Sequence, residues 1–175
     1  MPSTDTDGFT LLEVLLVVGM LGITAAIAAP GLTRARLSGT EASAIATLRA
    51  INSAQSTYAS SCGGGSYAPS LAMLGTAPVV GGGEAFVAPD LDTDPSFKSG
   101  YTIALTAGSL AAGSPASCNG VVAGGSATTY FVGGAPADGI DGRYFGTNQG
   151  GTVYEDTSAV AVTQIGAPMG ATPVQ

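Results

Sequence analysis

Phe9–Ala29 reads FTLLEVLLVVGMLGITAAIAA, 21 residues in which a single acid, Glu13, interrupts an apolar run. At about 1.5 Å of rise per residue such a run crosses the roughly 30 Å hydrocarbon core of a bilayer as a helix. A carboxylate inside that span costs about 2.5 kcal/mol or more if ionised and unpaired, so the expectation is a specific partner for it, or a protonated state until that partner arrives. No Lys, Arg or His lies between Met1 and Thr33 to supply one. The remaining source of positive charge is an α-amino group. A cut before Phe9 would create one, a helical turn from Glu13 in its own chain and equally available from a neighbouring chain.

Gly8-Phe9-Thr10-Leu11-Leu12-Glu13 followed by an apolar run, with Pro30 at the twenty-second position counted from Phe9, resembles the processing and assembly signal of type IV pilins and type II secretion pseudopilins. The resemblance covers about the first third of the chain. It implies a leader, residues 1–8, removed after Gly8 by a membrane peptidase that also methylates the new terminus at Phe9. It further implies that Glu13 pairs with the terminal amine of an adjacent subunit, and that Pro30 marks a place where the helix loosens in the fibre. The expected partners are the prepilin peptidase/methyltransferase, the inner-membrane assembly machinery, the membrane and further copies of the chain in a homo-oligomeric helical filament.

Two other accounts of the segment are weaker. A secretory signal opens with basic residues, whereas MPSTDTDG is acidic. A plain membrane anchor leaves Glu13 without a purpose. Arg34 and Arg36 follow the span while Asp5 and Asp7 precede it, a charge bias that by itself favours the reverse orientation. The motif is the more specific of the two signals.

After Pro30 the pattern turns amphipathic. Leu37, Ala44, Leu48, Ile51 and Tyr58 recur at helical steps with Arg34, Glu41 and Arg49 between them. One long helix is therefore predicted over residues 9–60, transmembrane over 9–29, loosened near Gly19, Gly22, Pro30 and Gly31, and ended by Gly63, Gly64 and Gly65. Residues 61–175 hold 22 Gly and 8 Pro, about 26%, with strand-like runs at Tyr101–Thr106, Thr128–Val132, Gly142–Thr147 and Thr152–Glu155. The last two are joined by Asn148-Gln149-Gly150-Gly151, a hairpin signal. The expected fold is α+β: a long N-terminal helix packed on a small antiparallel sheet in a glycine-rich head, as pilin-like heads have. Ala77–Pro89 and the tail from Gly166 are expected to be loops.

Cys62 and Cys118 are the only cysteines. On the pilin reading both lie outside the cytoplasmic membrane, where a disulfide is expected. Two thiols without histidine cannot complete a structural zinc site.

Asp90, Asp92 and Asp94 alternate like the opening of a calcium loop, but Pro95 and Tyr101 stand where an EF-hand requires Gly and Glu. Some major pseudopilins carry calcium in a C-terminal loop, a role for which Asp138 and Asp141 are weak candidates here. A solvated acidic turn is the preferred reading of both clusters, and no cofactor is expected. The absence of histidine removes the usual acid–base and zinc chemistry, no nucleophile or phosphate-loop motif appears, and the chain is not expected to be an enzyme. Without the leader ten acidic side chains remain against five basic ones, a net charge of −5. Nucleic acid is accordingly not indicated as a partner.

The function expected is that of a structural filament subunit, first in the inner membrane and then in an extracellular pilus. The alternatives are a pseudopilin of a type II secretion system, forming a periplasmic pseudopilus, and a monomeric membrane-tethered adhesin.

Overall fold

The computed structural model describes residues 8–79 and 82–174. Helix α1 runs from Leu11 to Ser61, 51 residues, and the chain divides into two units at Ser38/Gly39. In the first unit the helix continues through Pro30. Proline withdraws one backbone donor from the ladder, and the Thr33 hydroxyl donates to the carbonyl of Ala29 at 3.2 Å nearby.

In the second unit α1 lies on an antiparallel sheet of six strands in sequential order, β1 (Ser96–Lys98), β2 (Tyr101–Ala107), β3 (Tyr130–Pro136), β4 (Tyr144–Asn148), β5 (Val153–Asp156) and β6 (Thr172–Pro173). The alternation expected of a half-covered strand is visible in β2, where Tyr101, Ile103 and Leu105 are buried and Thr102 and Ala104 are not. These side chains join Val132, Phe145 and the helical stripe Ala44, Leu48, Ile51 and Tyr58 in one core. Leu37, the first member of that stripe, is only half-buried. Gly134 is closely packed within the sheet, where a Cβ would stand 3.3 Å from Ile103 Cδ1 on the neighbouring strand, while Leu48 Cδ1 of the helix would lie at an ordinary contact distance of 3.9 Å.

Three polar side chains on this part of the helix are paired, while the buried Tyr58 hydroxyl has no hydrogen-bond partner among the described residues. Gln55, fully buried, donates to the Ala68 carbonyl at 3.0 Å and accepts from the Ala68 amide at 2.9 Å, as a strand neighbour would. Asn52 donates to Thr147 Oγ1 at 2.7 Å and accepts from the Tyr130 hydroxyl at 3.0 Å. Glu41 accepts from the Arg143 amide at 3.1 Å and from its guanidinium at 2.7 Å, and Arg143 also reaches Glu155 at 2.6 Å. One arginine thus ties the helix to β4 and β5.

The glycine run ends the helix as expected. Gly64 is left-handed at φ 58°, and a Cβ at Gly63 would lie 2.6 Å from the Tyr58 ring. Immediately beyond the helix, Cys62 is bonded to Cys118, with Cα atoms 4.9 Å apart.

Strand β3 covers Tyr130–Pro136 rather than the expected Thr128–Val132, and three further elements differ from the sequence expectation. The tail does not end as a loose loop: Thr172–Pro173 pairs with Tyr154 and Glu155, and the Val174 amide donates to the Val153 carbonyl at 2.8 Å while its side chain packs on the core. Strand β1 and the one-turn helix α2 (Leu71–Leu74), whose Ser70 cap accepts from Met73 N, also went unpredicted. Residues 77–79 and 82–88 carry no regular element, and Val80 and Gly81 of the expected Ala77–Pro89 loop lie outside the described residues.

Two outcomes follow for the head. Breaking the Cys62–Cys118 bond with Cys62→Ser and Cys118→Ser lowers unfolding free energy by about 4 kcal/mol, measured by denaturant titration, because the bond closes a long loop. The second outcome concerns pH. Hydrogen bonds and charge attraction from Arg143 hold the Glu41 carboxyl below its ordinary value of 4.5. A folded pKa lower than the unfolded one contributes stability that is complete above about pH 4.5 and is lost as pH falls through the lowered value. Glu41→Gln therefore weakens the head at neutral pH and flattens the loss of stability below pH 4.5, read as melting temperature against pH.

Candidate assembly site

Gly8, Phe9 and Thr10 precede the helix, and Leu11 is its first residue. The Thr10 hydroxyl accepts from the Glu13 amide at 3.2 Å and the Thr10 carbonyl accepts from the Val14 amide at 3.2 Å. Thr10 is therefore the N-cap and Glu13 the third helical residue, the spacing of a capping box. This role of Thr10 was not drawn from the sequence, although the signal, a threonine three residues before an acid at the head of an apolar run, was present. The carboxylate of Glu13 also stands at the positive end of the helix dipole, worth roughly 0.3–1 kcal/mol.

Every residue from Gly8 to Arg36 is exposed. Phe9 is 77%, Leu11 83% and Ile27 75% accessible. An 18-residue window of the helix has a mean hydropathy of 2.4 with none of it buried, so α1 is long and apolar enough to cross a membrane. Between Phe9 and Ala29 the polar side chains are Thr10, Glu13 and Thr24. Thr10 caps the helix, and Thr24 returns its hydroxyl to the carbonyls of Met20 and Leu21 at 3.2 and 3.0 Å. Among the described residues, the Glu13 carboxylate alone in this span makes no hydrogen bond or ion pair. Seven of the eight expected leader residues, Met1 to Asp7, lie outside the described residues.

The remaining candidates are distributed over the head. Cys62 and Cys118 are brought together as a disulfide. Asp90, Asp92 and Asp94 do not converge on a common point. Asp90 pairs with Lys98 at 2.8 Å, and Asp92 closes the 3₁₀ turn Pro89–Leu91. Asp94 accepts from the Leu71 amide through Oδ2 and from the Leu105 amide through Oδ1, both at 3.1 Å. Its two oxygens join the start of α2 to the middle of β2, a long-range staple without a sequence signature. Asp138 and Asp141 are exposed on the turn between β3 and β4. Among the described residues no three His, Cys, Asp or Glu side chains group as a metal site would require.

Elsewhere burial pushes the Tyr101 hydroxyl up to about 12, and Tyr130 is raised for the same reason. Both hydroxyls donate, to the Arg143 carbonyl and to Asn52, and serve the core.

No family model, curated protein or solved structure matches this chain.

If Asp94 is a staple, Asp94→Ala leaves two buried-edge amides unpaired and costs about 2 kcal/mol. Asp92→Ala, by contrast, should change the unfolding midpoint by less than a quarter as much in the same titration.

Proposed function

We propose that this chain is a structural subunit of a type IV pilus-like filament, cut after Gly8, methylated at Phe9 and assembled through α1. The observation that carries this reading is the Glu13 carboxylate, among the described residues the one unpartnered polar side-chain group in an exposed 21-residue apolar span, three residues into a helix that starts just past the proposed cut. After cleavage each copy would offer one cation, the Phe9 amine, and one buried-seeking anion, Glu13. Where the amine of one copy meets Glu13 of the next without the reverse pairing, the contact is heterologous and propagates into rings or open helical fibres, whereas a reciprocal exchange of the same pair would close a two-fold dimer. In the fibre interior an unpaired acid costs several kcal/mol, so pairing with the neighbour's amine fixes axial register while packing of the apolar helices drives association.

The precursor would sit in the inner membrane through the same segment and leave it on assembly into an extracellular pilus, or into a periplasmic fibre in a secretion system. Immunogold labelling of whole cells separates the two by the presence of long surface fibres.

Glu13→Ala is expected to leave the protein inserted and cut before Phe9 while abolishing fibres. Intact mass and N-terminal sequencing of membrane and sheared fractions measure both. Wild-type-like fibre yield from that variant, or fibres of the native chain that begin at Met1, would overturn the reading.

A further inference from the structure

The helix face formed by Leu32 and Arg36, one turn apart, has no partner within the described residues. Leu32 is 54% accessible, and Arg36, like Arg34 and Arg49, is exposed without an ion pair among the described residues, whereas Lys98 and Arg143 are both paired. The turn between β3 and β4 carries the complementary groups. Asp138 and Asp141 are exposed and make no ion pair, and Ile140 stands between them 38% accessible. This turn is held in place: the Ile140 amide donates to the Ala137 carbonyl at 3.0 Å and the Ala137 amide to the Gly100 carbonyl at 2.9 Å. Each side therefore offers an aliphatic side chain beside a charge, of opposite sign on the two sides.

Resting on the filament reading above, we infer that the β3–β4 turn of one copy docks on the Leu32/Arg36 face of a neighbouring copy, with Ile140 against Leu32 and Asp138 or Asp141 accepting from Arg36. A phospholipid surface would satisfy the arginine but leave both aspartates unpaired, whereas a second copy satisfies both patches. The two occupants also treat Arg34 differently. At 100° per residue Arg34 points about 160° away from Arg36 around the helix, so a membrane encircling the helix engages both arginines alike and a docked turn engages Arg36 alone. Made in one direction from copy to copy, the contact is heterologous, like the one proposed at Glu13, and both can recur along the same fibre.

The test is zero-length carbodiimide coupling of the full chain carrying Arg36→Lys, in native membranes and in sheared material, from cells shifted during growth from nitrogen-15 to nitrogen-14 medium so that each cell holds labelled and unlabelled copies. Carbodiimide joins the new lysine amine to a carboxylate with loss of water. The expected product is a mixed-isotope peptide linking position 36 to Asp138 or Asp141, about tenfold more abundant than the corresponding product of Arg34→Lys. Asp138→Lys with Asp141→Lys should reduce the assembled fraction about tenfold, and adding Arg36→Glu should restore most of it. Same-isotope products only, no product at 138 or 141, or equal yields from positions 34 and 36 would overturn the docking, the last pointing to lipid. Fibres that begin at Phe9 are scored separately, so loss of the filament reading is distinguishable from loss of this contact.

Discussion

Thirteen large apolar side chains between Phe9 and Leu32 are exposed among the described residues. Burying a side chain of this kind is worth about 1.5–3 kcal/mol, so the segment's preference for an apolar medium totals on the order of 20–40 kcal/mol. That exceeds the roughly 5–15 kcal/mol by which a small domain is stable. Whatever covers the segment therefore dominates the energetics of the whole molecule. The candidates in physical terms are a bilayer or other copies of the same helix, and a filament subunit would use each in turn.

The second half of α1 meets the opposite condition with the same backbone. Past Gly39 its apolar residues narrow to a stripe, and three polar side chains beside it find fixed partners: Glu41 at Arg143, Gln55 at Ala68, Asn52 at Thr147 and Tyr130. A head in which about a quarter of the residues are Gly or Pro has little side-chain volume to bury. It relies correspondingly on such pairs and on one covalent tie at the end of the helix. Glycine also contributes to packing here. Gly146 accommodates the Phe131 ring and Val160, since a Cβ there would come within 2.9 Å of both. The segment after β5 is thereby seated on the sheet's outer face.

What could be read from the sequence was what repeats. The helical stripe expected from Leu37 to Tyr58 is buried from Ala44 onward, with Leu37 half-buried, and the strand-like run Tyr101–Thr106 and the Asn148–Gly151 hairpin lie within a residue or two of their observed limits. Strand β3 was placed two residues early, because Thr128 and Thr129 have strand-like side chains but Gly133 and Gly134, which do not, complete the ladder. Strands β1 and β6 span three and two residues, too short to show a period. They are set by their neighbours' free edges rather than by their own composition. Asp94 was read with its sequence neighbours as a weak calcium candidate. Its two amide partners, at Leu71 and Leu105, lie 23 and 11 residues away, a separation that local pattern cannot reveal.

At the start of α1 the helix cap and the charge at position 13 make separable demands. The cap uses the Glu13 backbone amide and the Thr10 hydroxyl, and any residue other than proline at 13 could provide that amide. A glutamine there would complete the capping box equally well, reaching back to the Thr10 amide without a net charge. It would also cross an apolar phase at lower cost than a carboxylate. Favourable placement at the helix dipole offsets at most about 1 kcal/mol of the difference. Helix formation and membrane insertion together therefore call for a neutral side chain at this position. The ionisable one makes physical sense through a cation that arrives from outside the helix, which is the contact on which the proposed filament turns.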